Sequence, residues 1–298
     1  MKADVAGLGT VLVDHQLFLE TYPEWDTKTD IQKHRMQVGG PVPTALVFLA
    51  RLGKTCAMVG KWGDDTFGSM IENDLQKEGI FIDRSLRVKN ESSGFASIWI
   101  EAATGHRTIA CSRGSFSAIS SFEIDDTLFS TCNALHLDGW SSQAAIKAAK
   151  EVKRHRGHVF LDAGYPKPGL KELIPLVDVM VCPQQFAAQF FGRDDHDFAA
   201  EELLRMGVDT VVFTAGEKGA VLYREGCCIR QRAFNVRAVD TTGAGDVFCG
   251  ALIYALGERM SYPDALAFAA AAAALKCTQV GNRDALPGIR EIESLLSS

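Results

Sequence analysis

Apolar positions along the chain fall into runs of two periods. Ala3 to Val13 is apolar almost throughout, with a Gly7-Leu8-Gly9 kink, and reads as a buried first strand. Pro43 to Leu52 has helical spacing, Thr55 to Val59 reads as a strand, and Phe67 to Lys77 as a helix presenting Met70, Ile71 and Leu75. Further on the alternation becomes regular. Strand-like runs at 134–137, 158–161, 177–181 and 210–213 alternate with helical runs at 142–153, 184–190 and 199–206. Helices over 245–256 and 262–275 close the chain. Continuously apolar strands separated by helices predict the α/β class: a doubly wound, mostly parallel sheet with helices on both faces.

Two stretches break this rhythm. Residues 17–38 and 94–112 contain period-two segments, in which Phe95, Ser97 and Trp99 alternate with Ala96, Ile98 and Ile100. They predict antiparallel strands outside the main sheet. No repeat or low-complexity linker interrupts the chain. The expected organisation is therefore one domain, 1–298, with a small β-sheet built from segments at about 15–38 and 92–113.

Composition narrows the partners. With 47% hydrophobic residues the chain can bury a sizeable core, and a net charge of −6 lacks the basic footprint of a nucleic-acid binder. No apolar run reaches membrane-spanning length, and the N-terminus carries no secretory h-region. The reading is a cytoplasmic protein with no membrane or nucleic-acid partner. The eight cysteines form no CxxC pair, and Cys227-Cys228 suits neither a usual disulfide nor a zinc site, so reduced thiols are expected. His155 and His158 lie among Lys153, Arg154 and Arg156 and read as solvated surface.

The densest chemistry is the string Val239-Asp240-Thr241-Thr242-Gly243-Ala244-Gly245-Asp246, which runs straight into the apolar helical pattern Val247, Phe248, Ala251, Leu252. A Gly-rich turn opening a helix presents free N–H groups to an anion such as phosphate. Asp246, in the first helical turn, is badly placed to bind that anion. It is well placed to take a proton from a hydroxyl attacking it. Two other glycine strings are decoys. Gly53-Lys54-Thr55 follows a helix instead of opening one, and Gly7-Leu8-Gly9 has Leu12 where a dinucleotide fingerprint needs its third glycine.

The string DTTGAGD resembles the C-terminal signature of the ribokinase-like (PfkB) carbohydrate kinases, and its place about four-fifths along the chain fits that family. The resemblance implies an ATP-dependent kinase acting on a primary hydroxyl of a sugar, with Asp246 as catalytic base. Gly243, Ala244 and Gly245 then hold the transferring phosphoryl group. It implies a β-sheet lid over the sugar, a homodimer through that lid, Mg²⁺ carried with the nucleotide, and a monovalent cation such as K⁺ near Asp240 and Thr242. Nucleotide contacts are expected from Thr214, Gly216 and Gly219 after the 210–213 strand, from Thr242, and from Lys276, Cys277 and Asn282 near the base or ribose. Asp14, at the end of the first strand, and Gly39-Gly40, ahead of a helix, match the family's sugar-binding positions. Read without the resemblance, each of these is equally a turn or cap.

Details of the pattern bear on the acceptor. The GGPxxTA form, Lys28 and the ending ALKCTQVGNRDALP are similar to the sulfofructose kinase and ketohexokinase-type branch, which favours a ketose-like acceptor. Pro43 replaces the usual sugar-contacting Asn, Gly139 stands where a sulfonate-binding Arg is expected, and the NxxE motif is absent near Pro183-Gln184-Gln185-Phe186. Lys28, Arg35, Arg107 and Arg113 lie in or beside the lid segments; for each, surface solvation is the first reading and contact with a substrate anion the second. A nucleoside kinase and a non-catalytic ATP- or sugar-binding sensor are the competing readings.

Overall fold

The computed structural model describes residues 2–101 and 107–297. The first third holds β1 (Val5–Leu8), β2 (Leu12–Leu19), β3 (Lys33–Gly39), α1 (Pro41–Arg51), β4 (Cys56–Val59), β5 (Lys61–Gly63), α2 (Thr66–Lys77), β6 (Leu86–Val88) and β7 (Ser93–Glu101). The middle holds β8 (Arg107–Gly114), α3 (Asp126–Phe129), β9 (Ala134–Leu137), α4 (Ser142–Arg154), β10 (His158–Asp162), α5 (Leu170–Leu173), β11 (Val179–Pro183) and α6 (Phe186–Phe191). The last part holds α7 (His196–Arg205), β12 (Thr210–Thr214), β13 (Ala220–Arg224), β14 (Cys227–Gln231), α8 (Ala244–Gly257), α9 (Tyr262–Lys276) and α10 (Ile289–Leu296).

The main sheet has the order β14-β13-β12-β11-β10-β9-β1-β4. The run from β12 to β4 is parallel, while β13 and β14 extend it as an antiparallel hairpin. Successive side chains on a strand point to opposite faces, and the two cores divide accordingly. Val179 and Val181 of β11 join α1, α8 and α9 on one face; Met180 and Cys182 join α4 to α7 on the other. Gly7 lets α1 lie directly on β1, since a Cβ there would sit 2.4 Å from Val42 Cγ1.

The chain runs outward from β1 to β4 and in the other direction from β9 to β12. The strand order therefore reverses between β1 and β9. Open α/β sheets bind ligands at such a point, beyond the carboxyl ends of the strands. A cavity of about 610 Å³ lies at the opposite edge, lined by Asp4, Asn133, His158 and Asp209, and none of the candidate site residues lines it.

The extra segments form a second sheet of order β3-β2-β7-β8. Two expectations change here. The apolar stretch Ala3–Val13 is broken at Gly9-Thr10, and Asp14 lies inside β2 of the second sheet, not at the end of the first strand. The central pair β2–β7 is parallel, while β2–β3 and β7–β8 are antiparallel. Alternation identifies a half-buried strand but not its partner's direction. Ala96, Ile98 and Ile100 face inward with Leu12, whereas Phe95 and Trp99 are 41% and 37% exposed on the outer face; Ile109 of the edge strand β8 lies opposite Ile98, on the inward side, and is 51% exposed there.

Candidate active site

Two helix N-termini and four strand ends converge at the carboxyl edge of the main sheet. α1 begins after Gly40 and α8 after Gly243, each with a glycine at the cap and no side chain capping it. Gly243 has φ +79, the left-handed region open to glycine. A helix start leaves its first N–H groups without intrahelical partners; here Ala244 N–H donates back to the Thr241 carbonyl at 3.2 Å, and an anion would gain from the remaining donors and the helix dipole.

Asp246 sits in the first turn of α8. Its carboxyl is pushed up to about 7, first by burial and then by the carboxylates of Asp162 and Asp14, against the pull of Lys276 and Arg283. Asp14 is likewise raised to about 6 by burial, although Asn282 Nδ2 donates to its Oδ2 at 3.1 Å. Gly39 makes room for this carboxylate, because a Cβ there would stand 2.2 Å from Asp14 Oδ2.

Asn282, expected at the base or ribose, is instead buried against Asp14. Its backbone N–H donates to Gln37 Oε1 at 3.0 Å, and its Oδ1 lies 3.3 Å from where a Gly243 Cβ would be. The chain turns inward after Gly281, at φ +105, and carries Asn282 to the β2–β3 side of the crevice. Asn282 Oδ1, Gln37 Nε2, Thr44 Oγ1 and Thr242 Oγ1 are all buried without a hydrogen-bond partner. Buried polar groups are rarely left unpaired. Several of them gathered between Asp14 and Asp246 suit a ligand rich in hydroxyls.

Asp138 and Asp162, which the motif reading passed over, complete the crevice. Asp138 follows β9 and accepts from the N–H of Thr10 at 2.7 Å and of Trp140 at 2.9 Å, so it straddles the point where the strand order reverses. Asp162 ends β10 and is raised to about 6 by burial and Asp138, while Lys167 lowers it. The buried Lys167 Nζ donates to the Ala163 and Tyr165 carbonyls at 2.6 and 3.1 Å. The signal was available: each Asp directly follows a predicted strand, the same carboxyl-edge argument that marked Asp14.

The lid arginines touch the body of the molecule. Arg113 stacks its guanidinium 3.5 Å over the Trp140 ring and donates to Tyr165 Oη at 2.7 Å. Arg107 Nη1 donates to Thr241 Oγ1 at 2.6 Å, and Arg35 reaches the Val280 carbonyl at 3.2 Å and pairs with Asp284. Lys28, by contrast, is exposed in the loop between β2 and β3 and is not brought to the crevice.

Thr214, Gly216 and Gly219 form the turn from β12 into β13, closed by the Ala215 N–H donating to the Gly219 carbonyl at 2.8 Å. At about 4.8 Å per strand, β12 stands roughly 19 Å from β1. Cys277 is the C-cap of α9, half-buried, with its carbonyl accepting from the amides of Val239 and Asp240 at 2.7 and 3.2 Å. Asp240, the candidate cation ligand, already has its acceptors engaged. Thr242 N–H and Gly281 N–H donate to its two carboxylate oxygens at 2.8 and 3.0 Å, and Lys276 Nζ to its carbonyl at 2.8 Å. Among the described residues, no group of three or more His, Cys, Asp or Glu is placed to hold a metal ion.

The family model of the pfkB carbohydrate kinases matches residues 2–288. The chain belongs to that family. It is an ATP-dependent carbohydrate kinase by membership, with a ribokinase-like fold. It is 28% identical over 300 residues to a ribokinase of Haemophilus influenzae, covering 98% of this chain and 97% of that one. The Arabidopsis thaliana ribokinase complexed with ribose and ATP superposes with a TM-score of 0.86 at 24% identity, over 100% of both chains. An E. coli chain assigned as ribokinase II, in complex with ATP and Mg²⁺, gives 0.87 at 22% identity over 99% of both. Among the described residues, no helix of this kinase is long and apolar enough to cross a membrane.

Proposed function

We propose that this kinase moves the γ-phosphoryl group of ATP to a primary hydroxyl of a sugar held between Asp14 and Asp246. The observation that carries this reading is the set of unpartnered buried polar atoms on Gln37, Thr44, Thr242 and Asn282, flanked by two carboxyls of raised pKa. Asp14 accepts from sugar hydroxyls, with Gly39 leaving room for its carboxylate and Gly40 opening α1 beside it. Asp246 takes the proton of the attacking hydroxyl, and a base with a pKa near 7 is matched to neutral pH. The amides of Gly243, Ala244 and Gly245 stabilise charge on the transferring group. Mg²⁺ is held by the ATP phosphates and water. The adenosine side lies toward Thr214, Gly216 and Gly219, with Thr242 and Cys277 between. A ketose-like acceptor rests on sequence alone: the GGPxxTA form after Gly39, Lys28 and the ending ALKCTQVGNRDALP.

ADP release measured across ketoses, aldoses, sugar phosphates and nucleosides tests the reading. Turnover on a sugar at least about a hundredfold faster than on any nucleoside, about 2.7 kcal/mol of transition-state preference, is the expected result. Release with nucleosides only overturns the acceptor class. ATP binding with no release on any acceptor returns the sensor reading.

The outer lid face, with Phe95, Trp99 and Met36 exposed on it, supports a homodimer through the lid. Light scattering at micromolar concentration should give twice the chain mass, and Trp99→Asp should shift it toward the monomer. A wild-type monomer there removes the dimer.

A further inference from the structure

Lys276 is an ammonium with no access to solvent. It ends α9, whose preceding turns are apolar on every side, and its exposure is 0%. Burying an ammonium costs several kcal/mol unless its surroundings compensate. Here they do. Lys276 Nζ donates to the Asp240 carbonyl at 2.8 Å and lies 3.7 Å from Asp240 Oδ2. That carboxylate accepts from Thr242 N–H and Gly281 N–H, and the Cys277 carbonyl takes the amides of Val239 and Asp240. The ammonium therefore lies at the centre of a knot that ties the strand of chain before α8 to the loop after α9. Gly243, the cap of α8, comes directly after this knot.

The contacts do not fit a monovalent metal ion beside Asp240. Such an ion is bound by carbonyl and carboxylate oxygens that replace its water. Asp240 turns both kinds of oxygen toward Lys276. A second unit cation about 4 Å from the ammonium would be repelled by about 4 kcal/mol at an effective dielectric near 20.

We propose that the Lys276 ammonium is the resident cation of the phosphoryl-transfer loop and makes this kinase indifferent to K⁺ and other monovalent cations. Lys276 is a positioning residue: it acts through Asp240 and Thr242 on the amides after Gly243. The proposal rests on the reading of Gly243–Asp246 as that loop, and its test contains an arm that needs no turnover.

The full-length protein is assayed in KCl and in choline chloride at one ionic strength. Wild-type ADP release on the best acceptor of the panel should agree within about twofold, less than 0.5 kcal/mol in barrier. Without ATP or sugar, its thermal midpoint should be the same in the two salts. K⁺ activation of wild type by about fivefold or more, or a stabilisation specific to KCl, overturns the proposal. Lys276→Met keeps the length and removes the charge. Its kcat should fall at least about tenfold, or 1.4 kcal/mol, with the acceptor KM changed less than about threefold. Lys276→Ala opens space, and KCl or methylammonium chloride should restore its rate and raise its midpoint where choline chloride does neither. If Lys276→Met keeps its kcat, Lys276 has no part in ordering the loop. Should the turnover reading itself fail, the salt dependence of the wild-type midpoint still decides the cation question.

Discussion

Asp240 and Asp246 stand in one short segment, on either side of Gly243, and their surroundings push them in opposite directions. Burial alone would raise Asp240, but the Gly281 N–H, Lys276 and the Thr242 N–H outweigh it and hold the carboxyl below its usual value. Asp246 has no such set of donors. Burial and the nearby carboxylates of Asp162 and Asp14 lift it to about 7. A carboxylate whose lone pairs are already filled is structural, and one that is buried but unfilled is ready to accept a proton. The segment thus separates support from chemistry within two helical turns' length of chain.

Removing the unfilled carboxylate should have the largest effect. Asp246→Asn keeps the shape and removes the base, so kcat should fall by at least ~10²–10⁴ while ATP binding stays within severalfold. A rate within about tenfold of wild type removes Asp246 as the base. In the wild type, kcat/KM should climb with pH up to about 7 and level off above, because the base must be ionised. Asp14→Ala should come next. Charge-assisted hydrogen bonds to sugar hydroxyls are worth roughly 1.5–3 kcal/mol each, so the acceptor KM should rise at least about tenfold. The KM for ATP should hold, since the nucleotide groups lie toward β12. Loss of ATP affinity with an unchanged acceptor KM would show that the acceptor and nucleotide sides have been exchanged.

The same contrast explains what could be read from the sequence. The DTTGAGD turn and the alternation of apolar strands with helices were legible, because both are local patterns. The passage of the chain from β1 into β2 was not. Residues 11–13 continue the apolar run, and pattern cannot show that Gly9-Thr10 turns toward Asp138 and another sheet. Lys28 and Lys276 show the limit from two sides. Both are lysines near segments of interest, but Lys28 lies exposed in a loop and Lys276 is fully buried. The hint for Lys276 was the helix before it: Ala265 to Leu275 is apolar all round, so the next residue is drawn inside with it. The contact of Asn282 with Asp14 was not legible, because it depends on a left-handed turn at Gly281 and on Gln37, 245 residues away.

The smallest expected effect is on stability, and it separates the two carboxylates by sign. Burial lifts the folded Asp246 carboxyl to about 7 from an ordinary 3.8. Across that window the native state holds a proton that the unfolded chain has released. Stability therefore falls as pH rises from about 4 to about 7 and changes no further above. Asn cannot ionise, so Asp246→Asn should gain on wild type as pH rises, by on the order of 1 kcal/mol at pH 8, or about 2–4 °C in Tm. Asp240 runs the other way. Its lowered pKa contributes stability that is complete above the unfolded value and is lost only as pH falls through the folded one. Asp240→Asn should therefore lower Tm, and by a similar amount at pH 5 and pH 8. Thermal denaturation of the two variants at both pH values reads this directly. If Asp246→Asn is destabilising at pH 8, or Asp240→Asn is neutral there, the division between a supporting and a reacting carboxylate does not hold.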